Sequence, residues 1–510
     1  MQTMFNSGRP KGLWGGTSIF FCLTLLSLMA VFFTLAEGVR ILALNRSCDR
    51  ITENSTNAVF SRFVDCLWTD YGILGVDMTC ANQDDSGAML SDYGLSYAEE
   101  CGNPKTWTGT SYLRIKADSC QIKNYGLLTD QGGLPFLRMA AQTALEDLPE
   151  DLIDKAKEGV SGEEGQNAAD SPDQLIEHGS QALEEIEKQK TKKNDDKKEE
   201  LSQEEKDRRE REKKKWKGVE NPIGLAEKMR SKDILDLLMP KGKTVSDKKI
   251  DLSDRVSHRI LQQGNQRTEG LSPVERGLYQ QYAKKKLGFC LEPKEDGSLS
   301  YGSEYLIGGK DNDRDNLKET LMRILALREG QNFISLMKDP EKTALAESFA
   351  AVLSIFSGGS LEQAIKLAIL AAWAFVESVM DLRALLSGEK IPILKSKSEW
   401  RSSLTNLGQS LSRGEKAKGS DHGLNYESYL SIFLLALSTE RLGLRSLDLI
   451  EADLCSRQGY ESIRMDHLIY CADLEWNYYA DPVFLSFVPS IQGKGELYDY
   501  KREKTFSYLT

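Results

Sequence analysis

An unbroken apolar run, Ile19 to Ala36, constrains this chain more than any other stretch. It reads IFFCLTLLSLMAVFFTLA and carries no charge. As a helix it rises about 27 Å, close to the hydrocarbon thickness of a bilayer. In lipid a backbone has to satisfy its own hydrogen bonds, so the run is a membrane helix or the core of a secretory signal. A signal core is shorter, about 7–15 residues. The length therefore favours a retained anchor, with Thr34-Leu35-Ala36 as a weak cleavage site if the segment is removed.

Everything after the run reads as water-soluble. The chain has 510 residues, 28% of them charged, and a mean hydropathy of -0.43. That fits several soluble domains on one anchor rather than a bundle of spans. Leu367 to Val376 is also apolar, but it is short and lies between Lys366 and Glu377, so it is expected to be a buried soluble helix. A net charge of -11 argues against general affinity for nucleic acid. Arg9 and Lys11 precede the run, and Arg40, Arg46 and Arg50 follow it, so charge alone does not orient the span. Cysteine placement favours a single pass through the cell membrane, with the N-terminus cytoplasmic and the body extracellular.

Of nine cysteines, Cys22 lies within the run. Cys48, Cys66, Cys80, Cys101, Cys120, Cys455 and Cys471 are candidates for disulfides on an oxidising side, with Cys290 as the eighth outside the run. Cys48 and Cys66 share a helical face about 27 Å apart and cannot bond to each other. Cys455 and Cys471 are placed to clasp the C-terminal segment to the preceding helices. Both readings compete with a plain one, in which these thiols are small core residues.

The composition divides the chain. Residues 1–16 form a basic leader, and 17–70 a transmembrane and stalk helix without proline. Apolar residues at Val39, Leu42, Ile51, Val59, Phe60, Phe63, Val64 and Leu67 give the stalk one packed face. Residues 71–158 form a first head segment, with a half-buried strand over 112–117 and a helix over 134–157. Residues 159–218 mix both charge signs so densely that they read as a solvated linker, the Lys213–Lys215 cluster included. A semi-ordered connector, 219–270, leads to a helical bundle over 271–457. Its helices are expected at 316–337, 340–357, 360–387, 398–412, 425–438 and 441–456, and Ser272-Pro273-Val274-Glu275 marks a helix start. Residues 458–510 turn to strand. Leu474, Trp476 and Tyr478 alternate with Asp473, Glu475 and Asn477, predicting an antiparallel pair of 464–479 with 496–509, joined by the 112–117 strand. The fold class is α+β, mostly α.

No motif carries chemistry. Gly308-Gly309-Lys310 lacks the phosphate-loop arrangement. Asp311, Asp313 and Asp315 have calcium-loop spacing, but Asn316 and Met322 stand where that loop needs Gly and Glu, so acids at a helix start are the better reading. No CxxC occurs, and His178, His258, His422 and His467 stand at no ligand spacing, so no metal or cofactor is expected. Glu377 and Asp381 lie one turn apart on an apolar helix. No nucleophile accompanies them, and pairing with Arg383, Arg401 or Lys366 is the expected role. The chain reads as a non-enzyme with no small-molecule substrate.

A basic leader, the Gly15-Gly16 pair, an uncharged span and a continuing amphipathic helix resemble a pilin-like protein of the tight-adherence (TadE/TadG-like) kind. That resemblance implies leader cleavage between Gly16 and Thr17. A typical mature pilin has Glu at its fifth position, where this chain has Phe21. Trp68 to Val76, containing Asp70-Tyr71-Gly72, resembles a signature of an uncharacterised family of membrane-anchored proteins of Gram-positive bacteria. Glu304 to Lys310, Ala372 to Glu377 with Asp381 and Arg383, Ile391 to Lys395 with Trp400, and the helical stretch Tyr426 to Leu449 resemble its later motifs in order. The resemblance implies a pilin-like head with a large helical insertion, acting as a structural or assembly component of a tight-adherence pilus or secretion system. Its partners would be the lipid bilayer and pilus or secretion-system proteins. The alternative is an anchored adhesin or binding module unrelated to pili.

Overall fold

In the computed structural model, which describes residues 14–79, 88–103, 111–146, 210–211, 213–239, 242, 244–354, 361–412, 415–485 and 498–509, the apolar run is the first half of one helix, α1 (Trp14–Phe60). Its two halves differ. From Ile19 to Leu35 large apolar side chains face outward, with none of the window buried. From Glu37 onward one stripe is buried: Glu37, Arg40, Leu44, Cys48, Ile51, Ser55, Val59 and Phe60. The spacing of three and four residues keeps that stripe on one face.

The chain divides into two units, 1–139 with 260–269 and 457–510, and 140–259 with 270–456. The first holds α1, α2 (Asp65–Tyr71), β1 (Val76–Asp77), α3 (Ala88–Gly102), β2 (Ile115–Leu127), most of α4 (Asp130–Glu146), β3 (Leu468–Ala480) and β4 (Tyr498–Ser507). β3 is the central strand, and every pairing it makes is antiparallel. It pairs with β2 from Ile115 opposite Ala480 to Leu127 opposite Ile469, with β4 from Cys471 opposite Ser507 to Ala480 opposite Tyr498, and with β1 at Val76 opposite Ile469. The predicted alternation holds: Leu474, Trp476 and Tyr478 join the core beneath α1 and α3. Gly94 of α3 meets Trp476 so closely that a Cβ would stand 2.8 Å from the indole.

Two expectations change here. The stalk does not run unbroken to Asp70. Phe63 bridges Val76, and the Val64 amide donates to Gly75 O (3.0 Å), so sheet pairing ends α1 at Phe60 before α2 begins. Local helix propensity yields to tertiary pairing. Strand β2 begins at Ile115, not Tyr112, because Arg40 draws on the Tyr112 and Leu113 carbonyls and Arg114 has φ 49°. It then continues past Ala117 to Leu127, through polar residues that face their partners in β3.

The second unit is helical and takes in residues 271–456 of the expected bundle. It holds α5 (Pro222–Arg230), α6 (Ile234–Leu238), α7 (Pro273–Leu287), α8 (Gly302–Gly308), α9 (Asp313–Lys338), α10 (Pro340–Leu353), α11 (Glu362–Leu385), α12 (Leu407–Ser412), α13 (Tyr426–Ala436) and α14 (Thr439–Cys455). Helix α11 is buried almost all round from Ala368 to Leu382, so Leu367–Val376 is interior. The Ser272 cap forms, with Glu275 completing a capping box. At 398–412 only α12 is helical. The Arg401 and Ser402 amides donate to Glu377 instead of to a helix ladder.

The boundaries also move. Trp216, at the end of the expected linker, is buried, stacks on Phe349 (centroids 4.6 Å apart) and donates to Ser348 Oγ (3.0 Å). Residues 219–259 belong with the bundle, and 260–269 with the sheet. There Asp130 accepts the Leu127 and Gly264 amides (2.7 and 2.9 Å). The remainder of 159–218, apart from 210–211 and 213–218, lies outside the described residues.

Candidate functional site

Where α1 leaves its apolar half, Glu37 and Arg40 form a buried ion pair one turn apart (2.7 Å). Arg40 also donates to Tyr112 O (2.8 Å) and Leu113 O (2.6 Å). The second Glu37 oxygen accepts the Phe484 amide (2.7 Å) and the Val483 amide (3.3 Å). Two charges at the foot of the helix thus hold two distant loops of the same unit. A buried pair survives only when its remaining donors and acceptors are met, and here four backbone groups meet them.

In the bundle Glu377 and Asp381 are fully buried on α11. Lys395 lies between them and pairs with both. Arg328 of α9 donates to Asp381 through Nε (3.0 Å) and Nη2 (2.7 Å). Asn332 Nδ2 adds a bond to Asp381 (2.9 Å), and Arg328 Nη1 reaches Pro392 O (2.8 Å). Two negative and two positive side chains close on themselves, so the cluster is neutral. Burial works against the Arg328 charge, and Asp381 with Tyr429 more than restores it. Trp400 covers the cluster, with Lys342 Nζ 3.9 Å and Lys395 Nζ 5.7 Å from its ring centre.

The expected partners of Glu377 and Asp381 are corrected. Arg383 donates to the carbonyls of Leu237 and Leu411, Lys366 pairs with Glu347, and Arg401 meets Glu377 through its backbone amide. Lys395 stands in the Ile391–Lys395 motif, but nothing local marks it as the counter-ion of a helix fourteen residues upstream or more. Arg328 lies further off still, on another helix.

Other buried carboxylates pin loops in the same way. Asp313 accepts the Ser300 and Tyr301 amides and the Ser246 hydroxyl. Asp448 accepts from Ser257 N (2.9 Å) and Tyr305 Oη (2.8 Å). Glu304 accepts from Cys290 N (2.9 Å) and Tyr426 Oη (2.8 Å), and burial pushes it up to about 7 against those two bonds. The Asp311, Asp313 and Asp315 row is dispersed: Lys249 holds Asp311, Asp313 is buried, and Asp315 sits in the first turn of α9.

One cleft of about 530 Å³ opens on the bundle, lined by Arg230, Lys232, Met322, Ala326, Glu329 and Phe375 among others. Arg230 holds both Glu329 oxygens (2.8 and 2.9 Å) and lies 4.9 Å from the Phe375 ring centre. Burial pushes Glu329 up to about 7, with Arg230 opposing.

Among the described residues, Cys48, Cys66, Cys101, Cys120, Cys455 and Cys471 form no disulfide. Cys80 lies outside them. Burial pushes Cys48 up to about 11 and Cys120 up to about 12, and raises Cys66 and Cys471. Such thiols are poor nucleophiles at neutral pH. Cys455 accepts a long contact from Arg255 (3.6 Å). The expected leader junction, Gly16 and Thr17, falls in the first turn of α1, and the span from Ile19 to Ala36 lies wholly within it.

These features define a class: a two-unit α+β protein with, among the described residues, one helix long and apolar enough to cross a membrane, and a helical bundle with an ionic centre. Residues 212–480, more than half of the chain, match a family of unknown function (DUF5702), and the chain belongs to that family. The resemblance to an uncharacterised family is borne out over residues 212–480, the Trp68–Val76 stretch lies outside the matched residues, and the match supplies no pilin relationship. No curated protein and no solved structure matches the chain.

Proposed function

We propose that the protein is a non-enzymatic, single-span envelope protein, its N-terminus cytoplasmic and its body outside. In this reading it is a structural or assembly component of a tight-adherence-type pilus or secretion system. The observation that carries the proposal is the division of α1. Its first half is apolar and bare, while its second half packs on an antiparallel sheet whose strands come from both ends of the chain. A pilin-like anchor has the same division of labour, holding lipid or neighbours with one half and its own head with the other. The absence of an enzymatic role is supported by the engaged state of Glu377 and Asp381 and by the raised thiols. Deleting the gene should abolish pilus assembly and surface adhesion, and a copy lacking residues 17–36 should not restore them. Unchanged pili and adhesion in the deletion strain would refute the assembly role.

A second reading, an anchored binding module unrelated to pili, draws on the cleft around Arg230 and Phe375. It predicts that an external ligand is retained by the intact protein and lost on Phe375→Ala, with pili unaffected.

A further inference from the structure

We propose that the foot of the sheet unit is itself a membrane-interfacial site, an apolar notch that holds an acyl chain of a phospholipid from the bilayer α1 enters. The inference rests on the anchor reading and adds a second lipid contact to it. Beyond the uncharged run, Val39 and Leu42 remain 68% and 67% exposed, outside the buried stripe that carries Glu37 and Arg40. Asn45 and Arg46 are the first polar side chains exposed after them. From Ile19 to Leu42 the helix rises about 35 Å, longer than a hydrocarbon core of about 30 Å and within the thickness that includes the headgroups. One face of α1 therefore stays apolar into the interfacial layer.

Against that face lies an open notch of about 540 Å³, bounded by Phe32, Leu35, Val39, Tyr112, Leu113 and Phe484. Among the described residues that line it, the charged one is Arg40, whose guanidinium is taken up by Glu37 and by the Tyr112 and Leu113 carbonyls. The Glu37–Arg40 clasp grips the backbone at 112–113 and at 483–484, the two segments that supply the wall residues Tyr112, Leu113 and Phe484. The ion pair thus seals its charges toward the unit and presents apolar side chains beside the helix. Tyr112, 57% exposed, suits an interface where a ring sits in apolar surroundings and its hydroxyl in water. Thr24 and Thr34 return their hydroxyls to Phe21 O and Ala30 O, so the lipid-facing half of α1 also satisfies its own polar groups. Arg46, one turn beyond Leu42 on the same face, reaches the level of phosphate headgroups.

The test uses full-length protein in phosphatidylcholine–phosphatidylglycerol vesicles doped with a phospholipid carrying a diazirine in its acyl chain. After photolysis, label should map to Val39, Leu42 and the segments 111–113 and 483–485, as well as to 19–36. Tyr112→Ser with Phe484→Ser should abolish the label at the two loops and leave that on 19–36 unchanged. Label confined to 19–36 would overturn the notch while leaving the anchor intact. Crosslinks from Val39 to a second copy in place of lipid would overturn it as well. No label on 19–36 would overturn the anchor reading itself.

Discussion

Under α1, the core of the sheet unit is Leu44, Ile51, Val59, Leu474, Trp476 and Tyr478, and its buried Glu37–Arg40 pair sits at the end of the packed stripe. At the heart of the bundle, by contrast, Arg328, Glu377, Asp381 and Lys395 meet among Ala, Leu and Trp side chains. Apolar packing is non-directional and tolerates small shifts, whereas a buried ionic cluster fixes which helix and which loop must meet. The sheet unit thus relies on a helix stripe and strand register. The bundle adds to its packing a set of buried carboxylates, Glu377, Asp381, Asp313, Asp448 and Glu304, that fasten its loops and helices.

The sharpest way to break this contrast is to remove one ion. Asp381→Ala strands Arg328 in the interior and leaves Lys395 with Glu377 alone, and should cost about 3–5 kcal/mol, read as a loss of denaturation midpoint. Replacing all four ions with apolar residues of similar volume should cost far less. Equal losses from the single and the fourfold variant would contradict a neutral, self-contained cluster.

Acidity gives the next test. Glu304 and Glu329, both raised to about 7 in the folded state, ionise more readily when unfolded, with an ordinary value near 4.5. Their protonated forms favour the fold, so bundle stability should fall as pH rises from about 4.5 to 7 and then level off, by a few kcal/mol in order of magnitude for each group. Glu304→Gln keeps an acceptor for Cys290 N and Tyr426 Oη and should flatten its share of that slope. An unchanged slope in this variant would show that Glu304 does not contribute.

Packing under the anchor is probed by Gly94→Ala, whose Cβ would crowd the Trp476 ring. Overpacking of this kind costs about 1–3 kcal/mol, and the sheet unit should lose thermal stability while the bundle's pH slope stays in place. The smallest effect is expected at Ser272→Ala, which removes half of a capping box at an exposed helix start and should cost about 1 kcal/mol.

What could be read from the sequence was local. The apolar run, the alternation of Leu474, Trp476 and Tyr478, the Ser272 cap and the apolar stretch Leu367–Val376 of α11 each declare themselves over a short stretch of chain, because periodicity and capping are short-range signals. What could not be read depends on partners far along the chain. The break at Phe63–Val64 needs Gly75 and Val76 in place, and the late start of β2 needs Arg40. The turned segment at 398–406 needs Glu377 to take its amides. The ionic cluster joins Arg328, Asp381 and Lys395 from separate segments, and no spacing rule links them. The same holds for the foot of α1, where Glu37 and Arg40 look like an ordinary helical pair until the loops at 112–113 and 483–484 close on them.

The central claim is that residues 19–36 hold the two-unit body at a membrane, and alkaline extraction of membranes tests it most directly. Full-length protein should remain with the sedimented bilayer, and a variant lacking residues 17–36 should move to the supernatant. Full-length protein in the alkaline supernatant would contradict the account.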